Sequence, residues 1–443
     1  MRRPHARATT GPTISAAGRA TRRARTAVAG ALAVVLLTAG CSSGDADAGG
    51  KTVIDFTWWG DVSRAERYEE AVAVFEEENP DIDVRTSYGA WDSYWSSRNV
   101  EAASGNLPDV MQMDIAYVTE YGSTGRLAPL DEHIGSTIDV STLPDTLLPT
   151  GQIDGTTVAI PTSTATLATM VNTDLFTELG VDVPTEPLTW DEYDTLLGDI
   201  ATAGASGDPT VYGSVDYTQI FWLYQIWLGQ QGKTMFEGDA LGFDESDLAT
   251  WWERAQPLHE DGTFMPPARL TQLEGVDALG IGETASEISW DNFLVRFSEG
   301  SRSGTLELLQ PPADDPEQSG LFLKPSLLLS VGANTEHPEE SAKLVDLLTN
   351  SPEVGEIFGM SRGVPSSSSA IEGFEPEGLD LQILEYEQSL EPYLTSSPPP
   401  PVSGFGTLES TFVRLSEELG YGTMTVDQAV EQWFAEAESV LAS

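Results

Sequence analysis

The segment KTVIDFTWWGDVSRAERYEEAVAVFEEENPDIDVRTSY, residues 51–88, decides the fold of this 443-residue chain. Its first residues alternate between the two sides of an extended chain, with Ile54, Phe56 and Trp58 on one side, which predicts a β-strand. Gly60 interrupts that alternation. Apolar residues then recur at helical spacing, which predicts an amphipathic helix: Tyr68, Ala71, Val72 and Phe75.

Start and stop signals place this helix within a longer α/β pattern. Ser63 and Glu66 have the spacing of a capping box, and Asn79-Pro80 predicts the end of the helix. The order of elements then predicts β-α-β-α-β, an open α/β lobe built on a parallel sheet. The remaining predicted elements are a strand at 82–88, a helix from Asp92 to a C-terminal cap at Gly105, and a strand at 107–113.

A second α/β lobe is predicted further along the chain. Residues 156–171 form a long extended segment, and Thr189 with Glu192 has the spacing of a capping box that opens a helix. Aromatic-rich helices are predicted at FWLYQIWLGQQG (221–232) and DLATWWERAQPL (247–258), so Trp251, Trp252 and Trp433 are interpreted as packing residues. The tail from Thr425 predicts an amphipathic helix, with Gln428 completing its capping box.

The first 40 residues have the pattern of an export signal. Seven arginines and no acidic residue precede Cys41, and the apolar run Ala27–Ala39 is shorter than the roughly 20 residues of a transmembrane helix. Thr38-Ala39-Gly40-Cys41 is similar to a bacterial lipobox, with Thr38 where leucine is usual. We therefore expect lipidation of Cys41, a flexible tether at 41–50, and anchoring to the outer face of the bacterial cell membrane.

Two alternatives remain open for the N-terminal segment. An ordinary cleaved signal would leave Cys41, the only cysteine, as a free thiol. Arg22-Arg23 is also compatible with twin-arginine export.

Charge narrows the possible partners. Removing the seven N-terminal arginines from the 22 basic residues leaves 15 against 70 acidic residues, a net charge near −55 for the exported chain. Such a surface argues against nucleic acid and against an anionic lipid surface as partners. The 40% of hydrophobic residues and eleven tryptophans are enough for large cores.

The order of motifs along the chain resembles one protein family. The motifs are FTWWGD, YEEAVAVFEEENPDIDV, SGNLPDVMQMD, GRLAPL, IPTSTATLATMVNTDLF, TWDEY, ISWDNF, SLLLSVGANTEHPEESAKLVDLLTN and GVPSS. Together they resemble the family 1 extracellular solute-binding proteins of bacterial ABC importers, the relatives of maltose-binding protein. The resemblance covers essentially all of the chain after the export signal.

The resemblance implies a two-lobed α/β fold of the periplasmic-binding-protein type (type II). Each lobe would contain a mostly parallel sheet flanked by helices, and a hinge of crossing strands would join the lobes and permit closure around a ligand. Carried onto this chain, residues 1–40 are the signal, 41–50 the tether, 51–163 and 307–353 the first lobe, and 164–306 and 354–443 the second.

The resemblance also implies function and partners. The protein would capture a sugar or oligosaccharide and deliver it, as a monomer, to ABC permease subunits with their ATPase. No cofactor or metal is expected, and the membrane is contacted only through the lipid anchor. A binding protein for a non-sugar solute such as a polyamine is the alternative, and a secreted glycoside hydrolase is a further one.

Aromatic rings suit the apolar faces of a sugar, and polar side chains suit its hydroxyl rim. Trp59, Trp91 and Asp114 follow the first three predicted strands, where ligands bind in open α/β lobes. Trp59 is preferred over Trp58, because the two side chains point to opposite faces. Further candidates are Trp290 and Asn292, which resemble the Trp-x-Asn element of the family, together with Asp216, Tyr217, Trp222 and Arg362.

Enzyme chemistry has little support in the sequence. After the signal only His133, His259 and His337 remain as histidines, and no HExxH, P-loop or glycine-rich dinucleotide motif occurs. Carboxylate pairs suited to glycoside hydrolysis arise by chance among 70 acidic residues. Lys324 is interpreted as a solvated or surface-paired lysine, with an approach to the ligand as the alternative.

Overall fold

A computed structural model describes residues 50–238, 240–273 and 275–442. Its strands are β1 Thr52–Trp59, β2 Ile82–Gly89, β3 Val110–Met113, β4 Gln152–Ile153, β5 Thr156–Thr157, β6 Ile160–Ala165, β7 Leu167–Asn172, β8 Phe236–Glu237, β9 Ala240–Leu241, β10 Ser286–Trp290, β11 Leu306–Leu309, β12 Lys324–Val331 and β13 Val364–Pro365. The export signal and Cys41 lie outside the described residues.

The α-helices alternate with these strands over much of the chain. They are α1 Val62–Glu78, α2 Trp91–Ser104, α3 Ile115–Ser123, α4 Thr173–Leu179, α5 Trp190–Gly204, α6 Phe221–Gln230, α7 Glu245–Glu253, α8 Ala255–Glu260, α9 Pro267–Leu273, α10 Leu294–Ser298, α11 Pro338–Asn350, α12 Pro352–Phe358, α13 Ser368–Ile371, α14 Gly378–Leu390, α15 Phe405–Gly420 and α16 Val426–Leu441.

Several predicted helix ends are confirmed, and one is wrong. Thr189 and Thr425 both form the predicted capping boxes, and Gly105 ends α2 in the left-handed conformation. Ser63 does not cap α1. Asp61 does so instead, because its carboxylate accepts from the backbone N–H of Arg64, so the helix begins two residues earlier than the predicted cap implies.

Two sheets organise the described chain. The large sheet has the strand order β13-β6-β12-β3-β1-β2, and the small sheet has the order β10-β7-β11. The predicted α/β class with two lobes is therefore observed. The expectation of mostly parallel sheets holds only for β1, β2 and β3, because β12 inserts antiparallel beside β3 and every pair in the small sheet is antiparallel.

The chain passes between the two sheets three times. β6 continues directly into β7 through Thr166, β11 leads back to β12, and β13 is followed by α14, whose Gln382 donates to the carbonyl of Leu306 in β11. This agrees with the expected hinge of crossing strands. The residue boundaries predicted for the lobes remain a prediction.

Apolar packing follows the sheets. One face of the large sheet packs on α1, α11 and α12, with Ile54, Phe56 and Trp58 in the buried core, as their alternation predicts. The other face joins a larger core that includes α5, α6 and the C-terminal helices, and this core holds Trp251, Trp252 and Trp433. These three rings are fully buried, as predicted for packing residues.

Gly363 lies where the third crossing enters the large sheet. Its φ is +101°, and a Cβ there would overlap the Thr164 carbonyl of β6 and lie 2.6 Å from Ser326 Oγ of β12. No other residue type fits both the backbone conformation and the space.

Gly363→Ala is therefore expected to destabilise the protein in two ways. The left-handed backbone costs about 1 to 2 kcal/mol for a residue with a Cβ, and the overlap adds about 1 to 3 kcal/mol. Gly422→Ala is the matched control, because Gly422 has a φ of +66° with open space around it and tests the backbone cost alone. Urea unfolding measures both. Equal losses in the two variants would show that the close contact at Gly363 is unimportant.

Candidate functional site

A cavity of about 300 Å³ lies at the edge of the large sheet that faces the small sheet. Parallel strands β1 and β3 both end at this edge, and β12 begins there opposite the end of β6. Strand ends from one sheet therefore converge with β10 of the other. Seven of the nine predicted ligand-binding residues line this cavity: Trp59, Trp91, Asp114, Trp222, Trp290, Asn292 and Arg362.

The choice between Trp58 and Trp59 follows from strand alternation, and the structure agrees with it. Trp58 is 0% exposed and packs on Phe56 and Tyr68 in the core. Trp59 lines the cavity and meets the ring of Trp91 edge to face, with centroids 5.0 Å apart. Trp91 is 40% exposed at the first turn of α2, so its indole is accessible from solvent.

The opposite wall carries a second pair of tryptophans. Trp222 lies in the first turn of α6, and Trp290 ends β10, with ring centroids 6.3 Å apart. Asn292 follows Trp290 in a short 3₁₀ turn, and its Oδ1 is buried without a donor among the described residues. A buried amide oxygen without a donor is available to a ligand hydroxyl.

Lys324 lies in the cavity, so its interpretation as a solvated lysine is wrong. It begins β12, and its Nζ is 3.3 Å from Asp114 Oδ2. The same ammonium lies 5.1 Å from the ring centroids of both Trp222 and Trp290, within the range of cation–π interactions. The side chain is buried because these aromatic and acidic partners replace water around the charge.

Asp114 is held by the backbone as well as by Lys324. Its Oδ1 accepts from the N–H of Ala116 and so caps α3, directly after β3. Both carboxylate oxygens of Asp114 therefore already have a donor, and a ligand would share them.

Glu409 of α15 is a cavity residue that the sequence analysis missed. Its pKa is raised to about 7, mainly by burial and also by the nearby charge of Asp114, whereas Lys324 and a hydrogen bond with Trp222 act in the opposite direction. In the sequence Glu409 is one of many acidic residues on an amphipathic helix, and nothing distinguishes it from the exposed ones.

Arginine side chains line the cavity near the end of β1. Arg362 was predicted, and Arg64 was missed, although both line the cavity. Arg64 lies one turn into α1, over Gly60, where a Cβ would be 2.6 Å from Arg64 Cδ. The glycine that ends β1 therefore also leaves room for this side chain, which is the sequence signal that could have identified it.

Asp216 and Tyr217 do not reach the cavity, so their prediction as ligand contacts is corrected. Asp216 accepts from the backbone N–H of Thr218 and contacts His259 Nε2 at 2.9 Å. The Tyr217 hydroxyl donates to Asp194 Oδ1 within the aromatic core. A polar residue before a helix can cap it, and an aromatic residue there can pack in a core. Here Asp216 does the first and Tyr217 the second.

A pair of buried carboxyl groups lies beside the cavity at the first crossing. Asp291 follows Trp290 and accepts from the N–H groups of Thr166 and Asn292. Glu387 of α14 accepts from the hydroxyl of Thr164, and its other oxygen is buried without a donor among the described residues. Burial raises the pKa of both groups, and the charge of Asp291 raises that of Glu387 further. These raised pKa values favour one proton shared between the two groups and carried by Glu387.

The family comparison agrees with this architecture. The model of the bacterial extracellular solute-binding protein family matches residues 70–377. The chain belongs to this family, which confirms the resemblance seen in the motifs. The family is one of extracellular binding proteins for solutes.

Solved structures show the same fold over nearly the whole chain. A family 1 extracellular solute-binding protein from Alicyclobacillus acidocaldarius is 26% identical over 90% of this chain and 100% of its own, with a TM-score of 0.65. A periplasmic oligogalacturonide-binding protein from Yersinia enterocolitica is 22% identical over 88% of this chain and 98% of its own, with a TM-score of 0.76. The GacH receptor of Streptomyces glaucescens, determined unliganded and with acarbose, is 19% identical over 88% and 98%, with a TM-score of 0.72.

Within residues 50–238, 240–273 and 275–442, no helix combines the length and apolar character needed to cross a membrane. The same described ranges contain no group of three or more histidine, cysteine or acidic side chains placed to hold a metal ion.

The shared proton predicts a pH dependence of stability. Unfolded glutamate titrates near pH 4.3, whereas Glu387 has a raised pKa in the folded protein. Between these values the folded state binds the extra proton, so this contribution to the free energy of unfolding falls as pH rises. In Glu387→Gln an amide N–H replaces the shared proton at every pH. We expect the variant to lose less stability than the wild type between pH 5 and pH 8.

Urea unfolding at several pH values measures this difference. Glu385→Gln is the matched control, because Glu385 is an exposed glutamate on the same helix, α14. If Glu387→Gln and the wild type show parallel pH curves, the two carboxyl groups do not share a proton.

Proposed function

We propose that this protein captures a saccharide in the cavity between its two sheets and delivers it to the permease of an ABC importer. The single observation that carries the proposal is the composition of one cavity. Indole rings from both sides, Trp59 and Trp91 on one and Trp222 and Trp290 on the other, surround polar groups at strand ends. This is the combination that carbohydrate recognition requires.

The polar groups match the hydroxyl rim of a sugar. Asn292 Oδ1 has no donor within the described part of the chain and would accept from a hydroxyl, whereas Lys324 would donate. Asp114 and Glu409 supply acceptor oxygens in the same cavity. A ring pressed on an indole would then have hydrogen-bonding partners of both kinds at its edge.

Hinged closure is part of the proposal. The lobes at 51–163 with 307–353, and at 164–306 with 354–443, would move about the three crossings and enclose the ligand. Because the cavity is lined from both sheets, closure completes the site and gives the permease a distinct surface to recognise.

The named ligands of two relatives support a saccharide. The Yersinia enterocolitica protein binds oligogalacturonide, and the Streptomyces glaucescens receptor binds acarbose. Both ligands are carbohydrates of more than one ring, which is why an oligosaccharide is included in the proposal.

The polyamine alternative is disfavoured by charge. Arg64, Lys324 and Arg362 place three cationic groups in the cavity against two carboxyl groups, of which Asp114 is already paired with Lys324. A polycation would meet repulsion where it needs carboxylates.

Glycoside hydrolysis has one observation in its favour. The cavity holds two carboxyl groups, and the pKa of Glu409 is raised to about 7, as a general acid requires. However, the other cavity carboxylate, Asp114, accepts from the N–H of Ala116 and is paired with Lys324, so attack by Asp114 on a substrate would compete with both donors. Incubation with oligosaccharides and analysis of the products would expose any cleavage.

Isothermal titration against a panel of saccharides and polyamines tests the proposed function. We expect heat of binding with at least one saccharide, a change in tryptophan fluorescence, and a smaller radius of gyration in solution scattering. Binding of spermidine with no response to any saccharide would overturn the proposal.

Trp290→Ala tests the indole wall directly. Removing a partly buried contact aromatic is expected to weaken saccharide binding by about 1 to 3 kcal/mol, with little loss of thermal stability, because Trp290 is only partly buried at the end of β10. Tyr421→Ala is the control, since Tyr421 is a half-exposed aromatic residue outside the cavity. Unchanged binding in Trp290→Ala, with a lowered melting temperature, would instead make Trp290 a core residue.

A lipid anchor at Cys41 completes the proposed function. The lipobox-like Thr38-Ala39-Gly40-Cys41 and the polar tether support it. Cys41→Ser is expected to move the protein from the membrane fraction to the medium, as detected by immunoblotting of both fractions. Retention of Cys41→Ser at the membrane would contradict the anchor.

A further inference from the structure

Arg362 is a buried cation with an unused hydrogen-bonding group. It is 4% exposed, and its guanidinium carbon lies 3.7 Å from the ring centroid of Phe358. Nη2 donates to the carbonyl of Leu348 at 3.4 Å, whereas Nη1 is buried with no acceptor among the described residues. A buried donor without an acceptor costs free energy, more so when it carries charge.

The backbone holds Arg362 in this position. Its carbonyl accepts from Ser163 Oγ at 2.8 Å and also from Ser326 Oγ, so β6 and β12 both fix the residue at the cavity wall. The Tyr68 hydroxyl donates to Gln112 and also interacts with the guanidinium, whereas Nη1 itself has no acceptor among the described residues.

Arg64 brings a second cation to the same wall. Its Nη1 donates to the carbonyl of Trp59 at 3.3 Å, and no carboxylate of residues 50–238, 240–273 or 275–442 pairs with its guanidinium. Burial lowers the pKa of Arg64, and the positive charge of Arg362 lowers it further. The two like charges therefore destabilise one another where they stand.

This pairing of cations is unusual within the chain itself. Elsewhere in the described residues most arginines form ion pairs with carboxylates: Arg98, Arg254, Arg269, Arg296, Arg302 and Arg414. With 70 acidic residues available, neither cavity arginine has such a partner in the described part of the chain. An anion from outside the protein would supply it.

We propose that the saccharide carries a carboxylate, as a uronic acid does, and that Arg64 and Arg362 bind this carboxylate and so determine specificity. The inference rests on the proposed function, because it concerns the same cavity. A planar carboxylate has two oxygens and accepts one charge-assisted hydrogen bond from each guanidinium.

Arg64 and Arg362 form the positively charged end of the cavity. Asp114 is paired with Lys324, and Glu409 bonds with Trp222 and has a pKa raised to about 7, so the carboxyl groups of the protein lie at the lysine end. The acidic groups therefore do not neutralise the arginine end.

A phosphate fits this subsite less well than a carboxylate. Phosphates commonly use the free N–H groups at a helix N-terminus. At α1 the carboxylate of Asp61 already accepts from the N–H of Arg64, and its negative charge would repel a dianion.

Isothermal titration with uronic acid oligosaccharides tests the inference. The matched ligands are the same oligosaccharides with their carboxyl groups reduced to alcohols, and the corresponding sugar phosphates. We expect the wild type to bind the acid at least tenfold more tightly than the reduced form, with a preference that shrinks as salt is raised.

Variants locate the effect at the two arginines. Arg64→Gln and Arg362→Gln are expected to weaken binding of the acid by about tenfold to a hundredfold, with little change for the reduced form. Arg85→Gln is the control, since Arg85 is exposed on β2 outside the cavity and its loss changes the net charge equally. Arg64 is partly exposed, so Arg64→Gln keeps the test available even if Arg362→Gln does not fold.

The outcomes separate this inference from the proposed function. Equal binding of acid and reduced ligands, preference for the phosphates, or equal weakening of both ligands in Arg64→Gln would overturn the carboxylate subsite while leaving saccharide capture intact. Failure of every saccharide to bind would overturn both.

Discussion

Thr166 alone separates the end of β6 in the large sheet from the start of β7 in the small sheet. This short crossing constrains the rest of the site, because it holds the edges of the two sheets against each other. Its N–H donates to Asp291, and its carbonyl accepts from the backbone N–H of the same residue. Asp291 in turn fixes the turn that presents Trp290 and Asn292, so the crossing and the cavity wall form one hydrogen-bonded unit.

The cavity brings cationic and aromatic side chains together. The surface is strongly acidic, and the cores are apolar, yet the cavity brings three cationic side chains together with four indoles. The desolvation of these charges is partly offset inside the cavity, by cation–π contacts for Lys324 and by Phe358 for Arg362. The rest of this desolvation cost would be offset by a ligand of complementary charge.

Much of the fold could be predicted because local signals and tertiary contacts agree. The alternation in β1 and the helical spacing in α1 correspond to one buried face each, and strand ends converge wherever parallel strands share a sheet. That rule places Trp59, Trp91 and Asp114 at the cavity. The antiparallel insertion of β12 was not predictable, since strand direction depends on where a distant segment returns to the sheet.

Apart from the glycine that makes room for Arg64, the residues that the sequence analysis missed have no distinctive local pattern. Arg64 and Glu409 lie on amphipathic helices, where charged residues are ordinarily solvated, and Lys324 begins an apolar strand. Only the tertiary fold brings them together. The prediction of Asp216 and Tyr217 as ligand contacts differs for the opposite reason. Their position before a helix is a clear pattern, but here it serves a cap and a buried hydroxyl.

Lys324 belongs to the large sheet, whereas the ring of Trp290 belongs to the small sheet. Any rotation that parts the two sheets must pull the ammonium away from that indole and return it to water. Each such contact is worth about 0.5 to 2 kcal/mol. If the two lobes move as proposed, this contact favours the arrangement in which the sheets stand together, and lobe opening would have to break it.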